Sequence, residues 1–266
     1  MKLTPRLWLG VGVSVLAAGP ALAASMADQP TVPALAQLQV AQGGEGGEGG
    51  EGGVSAADAA KDPVAYLTAL DVIAAHYLAG LDAYKAGDAT AAGEMFAHPI
   101  SEIYVDLEPV FTARSVKPFM DPMSKASELA LSKAPQAEVA KAAETVLKAL
   151  DSAAEMAPGN AVAATVQGKV IVGMLRRAAM QYAPAAQSEE AYLDGYGLYK
   201  AAAARAEDSL PTIAAKNADA GAAIQDALAT LAKAYPTAKR PARLDQDAGG
   251  LLAAASKAEL AVSRLN

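Results

Sequence analysis

His76 and His98 are the only two imidazoles in the chain, and Glu94 and Glu102 stand four residues to either side of the second. A neutral imidazole offers a ring-nitrogen lone pair and a carboxylate offers hard oxygens. Two of each make an adequate ligand set for zinc, iron or manganese. Residues four apart share a face of a continuous helix, which would line up Glu94, His98 and Glu102. The chemistry expected is therefore the binding of a divalent metal or iron by His76, His98, Glu102 and Glu94. The competing expectation is a solvated polar face, because Phe96, Ile103 and Leu107 mark the opposite, apolar stripe.

Other chemistries have less to work with. The chain has no Cys, which removes thiolate metal sites, thiol nucleophiles, disulfides and covalent c-type haem attachment. A serine nucleophile would need one of the two histidines as base, and there is no Gly-x-Ser-x-Gly elbow. The Gly-rich tract follows no strand and opens no helix, so it is no phosphate cradle. Tyr192, Tyr196 and Tyr199, with Asp194 among them, have the spacing of a core seam whose hydroxyls reach the edge. Met120 and Met123 form a single Met-x-x-Met pair where copper tracts use several, and Arg176-Arg177 reads as a surface pair. Binding, delivery or sensing is expected, not turnover.

Positioning the histidines requires a helical hairpin. Asp62-Pro63 is a helix start, Gly87 a stop and Asp88 a new cap. His76 and His98 lie at similar distances before and after that turn, hence at similar heights on adjacent helices. Pro99 should kink or break the second helix, with a further helical piece to about Ala113. Residues 115–135 carry three prolines and predict an irregular or short-helical connection. Helices are then expected over about 136–157, 161–182, 189–209, 212–234 and 246–264, with Pro211 resetting the chain direction. The fold class is all-α: a single helical-bundle domain of some seven helices over 62–266.

Two segments precede the bundle. Lys2 and Arg6, an apolar run from Trp8 to Leu22 and the Ala21-Leu22-Ala23 exit have the form of a removable export signal over 1–23. Its removal would take the only Trp and move the formal charge from −7 to about −9. Residues 24–61 contain GGEGGEGGEGG from Gly43 to Gly53, and read as a disordered, acidic linker. Its glutamates would gather hard cations only weakly. The acidic balance argues against nucleic acid and anionic membrane surfaces. No segment after the signal is expected to approach the ~20 apolar residues that span a bilayer. The location expected is the periplasm, and the partner a metal ion or an envelope protein.

Gly80, Gly87, Ala92 and Phe96 have spacings that resemble a tetratricopeptide helix pair. No second copy follows at the 34-residue period, so a generic hairpin is the reading. A signal, an Ala-rich bundle and histidines near its start resemble the imelysin class of exported all-α proteins, including the helical domain of periplasmic iron-uptake proteins. That resemblance implies a helical bundle and a His-x-x-Glu metal pair. Here His98 and Glu102 are spaced by one residue more. The segment HPISEIYVDLEP, His98 to Pro109, also resembles one in exported bacterial proteins of unassigned activity. Three readings stand side by side: metal binding, a structural or interaction protein of the envelope without a metal site, and non-covalent haem binding with His76 or His98 axial.

Overall fold

In the computed structural model, which describes residues 55–265, the bundle begins one turn earlier than the Asp62-Pro63 signal. Helix α1 (Ala56–Ala59) is capped by the Ser55 hydroxyl and lies in the stretch expected to be linker. Arg114 holds it there, donating to Ala60 O at 2.8 Å and to Met156 O at 3.0 Å while its guanidinium lies over the Tyr66 ring. The segment 1–23 and the Gly-Gly-Glu tract lie outside the described residues.

Helix α2 (Pro63–Lys85) starts with Asp62 accepting the Val64 N–H. It ends at the expected turn, where Gly87 takes φ +91°, a conformation open to glycine at little cost. Asp88 accepts the Ala91 N–H and caps α3 (Ala89–Pro99). Pro99 neither breaks nor simply kinks the helix. Ile100–Tyr104 form a π-helical turn, closed by Val105 N–H donating to Ile100 O, and α4 (Val105–Ala113) continues from it. Proline cannot donate to the carbonyl four residues back, and widening the next turn absorbs that mismatch.

Within the proline-rich connection, α5 (Met120–Leu131) buries Met123 completely, so the Met pair presents no open copper face. Helices α6 (Gln136–Ala154) and α7 (Ala164–Gln181) follow, then a 3-10 turn at Pro184–Ala186. Helix α8 (Glu189–Lys216) runs straight through Pro211, against expectation. Pro211 lies on the solvent side, where water satisfies the carbonyl that the ring leaves without a donor. The chain turns instead at Asn217, whose side chain accepts the Ala220 N–H and caps α9 (Ala218–Ala234). Helix α10 (Ala248–Val262) closes the bundle. The described residues contain α-helices and short 3-10 and π turns, and no strand.

Helices α2 and α8 run through the middle. Helix α2 packs on α3, α6, α7 and α8, and α8 packs on α2, α7 and α9. A helix surrounded in this way is apolar on nearly all sides. Helix α2 is accordingly long and apolar enough, by length and composition, to cross a membrane. That corrects the expectation that no segment after the signal has this character; here the helix forms the bundle core. Buried tyrosines tie elements together by donating to backbone carbonyls: Tyr66 to Ala153 at 2.9 Å, Tyr77 to Phe96 at 3.1 Å and Tyr235 to Ala178 at 2.8 Å. Asp71 of α2 takes a two-pronged ion pair from Arg205 of α8, which also donates to Gln167 of α7 at 2.8 Å.

Candidate functional site

Two glycines decide how closely helices approach α2, and through that where the polar side chains meet. A Cβ on Gly80 would lie 2.5 Å from the Phe96 ring. With glycine there, Phe96 lies flat against α2 and stacks on Tyr77 at 5.0 Å. That register carries His98 beside His76, their ring centroids 6.3 Å apart and nearly perpendicular. A Cβ on Gly197 would lie 2.4 Å from Ala75 O, so α8 presses on α2 next to His76. Asp194 Oδ1 thereby comes to 3.9 Å from His76 Nε2, and Glu190 Oε1 to 3.7 Å from His98 Nδ1.

The His76 ring has a fixed tautomer. Its Nδ1 is 2.8 Å from Val72 O; a carbonyl only accepts, so Nδ1 carries the proton and Nε2 keeps its lone pair. The side chain is 13% exposed. Burial pushes its pKa down to about 4, helped by nearby His98 and opposed by the Val72 hydrogen bond. It is neutral at pH 7.

Both histidines wall a cavity of about 400 Å³, with Glu102 on the π-turn and Asp194 on α8. Glu94 is not part of it. It is exposed and lines a neighbouring cavity of about 560 Å³ together with Glu190, Lys239 and Arg240. His98 is the wall shared by the two cavities. The expected four-residue set is thus divided: His76, His98 and Glu102 face one space, while Glu94, a turn nearer the hairpin, faces the first turn of α8. Among the described residues no group of three or more His, Asp or Glu side chains is arranged to hold a metal ion by itself.

The far wall belongs to α7. Gly173, Arg176, Arg177, Met180 and Gln181 all line the cavity, as residues three and four apart on one helix face should. Arg176 and Arg177, read from sequence as a surface pair, differ from each other. Arg176 lies at the open rim, 3.8 Å from Glu259 of α10. Arg177 is half-buried, and desolvation lowers its pKa. Gly173 has no heavy atom within 4 Å of where a Cβ would stand. Glycine inside a helix costs about 1 kcal/mol relative to alanine, and no close approach at position 173 requires it.

Asp194 and Arg177 are the residues that sequence spacing does not reveal. Asp194 reaches His76 only because α8 crosses α2, a contact between distant parts of the chain. Its one local sign is the Asp194-Gly195-Tyr196-Gly197 run, whose small residues mark a close helix crossing. The tyrosine seam lies elsewhere, with Tyr192 donating to Thr237 O and Tyr196 to the Asp82 carboxylate. Comparison with protein-family models, with curated proteins and with solved structures gives no match, so the chemistry of the cavity is read from its own side chains.

Proposed function

We propose that the chain is an exported helical-bundle binding protein whose ligand occupies the cavity between His76, His98 and Asp194, with a divalent metal or iron held on the imidazole side. One observation carries this reading. Val72 O takes the His76 Nδ1 proton and leaves the Nε2 lone pair 3.9 Å from Asp194 Oδ1. Metal-ligating histidines are characteristically held through their other ring N–H in this way. Glu102 supplies a further oxygen, and Glu94 is left out. Gly173 keeps open space in the cavity wall at a cost to the helix. The pattern of residues 1–23 supports export to the periplasm, where binding, delivery or sensing is the role.

The test is the metal content and absorption spectrum of the protein purified untagged from periplasm, beside a His76→Ala/His98→Ala variant. Near-stoichiometric metal in the parent and its loss in the variant are expected. A Soret band lost with the histidines would instead assign haem. No metal in either protein, with failed reconstitution, would overturn the metal reading. It would also favour an interaction protein, for which the shallow groove of Leu210, Pro211, Ala214 and Leu228 between α8 and α9 offers an apolar surface.

A further inference from the structure

We infer that a second cleft, floored by α2 and flanked by α6 and α8, binds a linear aliphatic diamine, its ammonium ends held by Asp151 and Asp208. It shares no lining residue with the cavity of His76 and His98, so the two sites are independent.

Helix packing opens this cleft. Helix α6 rests on α2 and α5, and α8 rests on α2, α7 and α9, so α6 and α8 flank α2 with no substantial interface of their own. Between them lies a space of about 620 Å³, within the range of small-molecule sites. Apolar walls come from every side: Ala74 and Leu78 of α2, Leu147 and Ala154 of α6, and Ala201 of α8. Val162, just before α7, adds a side chain that is 80% exposed. On α2 and α6 the lining residues recur at three- and four-residue intervals, so each helix offers one continuous stripe. A methylene chain laid along these stripes would leave water.

Charge decides what that chain must carry. The polar floor is already satisfied. Arg205 forks onto Asp71 and donates to Gln167, whose Oε1 also accepts from Ser209 at 3.0 Å. Asp151 of α6 and Asp208 of α8 differ from Asp71. Both are exposed, both act electrostatically on Arg205, and among the described residues neither has a cation within 4 Å. Three carboxylates against one guanidinium leave two negative charges on the lining, one on each flanking helix. Hard metal ions need several oxygens around one centre, and among the described residues no three acidic or imidazole side chains are so grouped. Two ammonium groups joined by methylenes match the pattern instead. Each ammonium is a compact charge with three donors, and the stem between them is apolar.

The experiment is equilibrium dialysis of labelled 1,5-diaminopentane against the full chain at fixed ionic strength, with competition by 1,8-diaminooctane, pentylamine and Mg²⁺. One-to-one retention of the diamine is expected. Diaminooctane should compete better, because each buried methylene favours binding by roughly fourfold. Pentylamine, with one charged end, should compete several-fold worse. Asp151→Asn and Asp208→Asn, both at exposed positions, should each weaken retention by roughly threefold and leave the thermal midpoint unchanged. In the double variant the preference for diamine over pentylamine should vanish. Pentylamine competing as well as the diamine would overturn the inference, as would retention that both substitutions leave intact. Displacement by Mg²⁺ as readily as by diaminooctane would reduce the binding to a counterion atmosphere and overturn it. So would the absence of retention at millimolar diamine.

Discussion

His76 is a base that the fold keeps unprotonated, and this makes the protein sensitive to acid. Its pKa is about 4 in the folded state, against about 6.5 in an unfolded chain. Between those values the unfolded chain binds a proton that the native state refuses, so stability falls as pH drops from about 6.5 to 4. The loss is on the order of 3 kcal/mol. His98, Asp194 and the arginines of α7 face the same space and share in the local balance. Urea unfolding at pH 7 and at pH 4.5 should show a clear loss for the parent chain and a smaller one for His76→Gln. Gly173 gives a second test at this scale. Gly173→Ala should raise stability by roughly 0.5–1 kcal/mol through helix propensity and chain entropy, read as a higher thermal midpoint. Sequence spacing was enough to bring His76 and His98 together, because both distances are counted from one hairpin turn. It could not supply Asp194, since the crossing of α2 and α8 is written in the packing of Gly197 and not in any local pattern.

At the scale of elements, close approach and one ion pair hold α8 to α2. Gly197→Ala would place a methyl 2.4 Å from Ala75 O, a backbone atom that cannot rotate away. A loss of about 1–3 kcal/mol is expected, together with a wider His76–Asp194 separation. A lower thermal midpoint with weaker metal retention would show both. Arg205→Leu would leave Asp71 buried without its partner, where desolvation already pushes the carboxyl pKa up and only Arg205 pulls it back. Removing one member of such a pair costs about 3–5 kcal/mol. Replacing both, as Asp71→Leu/Arg205→Leu, should recover most of that in denaturant titrations. Helix boundaries were readable where a capping side chain or a glycine turn marked them, as at Asp62, Gly87 and Asp88. The prolines misled. Pro99 is absorbed by a widened turn and Pro211 by solvent, because the effect of a proline depends on what surrounds its ring and on the carbonyl it leaves without a donor.

Across the whole molecule, the all-α bundle follows from composition, from the absence of strand-like runs and from regularly spaced stops. The first turn of the bundle does not, because α1 is held by Arg114, a residue far along the chain. Arg114→Ala should free that turn and lower stability by about 1.5–3 kcal/mol, the range for a hydrogen bond from a charged group. Hydrogen exchange of residues 56–60 would report it. The tyrosines that cross-tie the helices have a consequence at the opposite end of the pH scale. Six of the nine have phenol pKa values raised, chiefly by burial, Tyr66 and Tyr192 to about 12. Up to about pH 10, where free phenols begin to ionise, they cost the fold nothing. Above it the unfolded chain releases protons that the native chain retains, and stability falls with each further step. In alkali the buried phenols should therefore ionise together with the loss of helix, so that tyrosinate absorbance counts the molecules that have come apart.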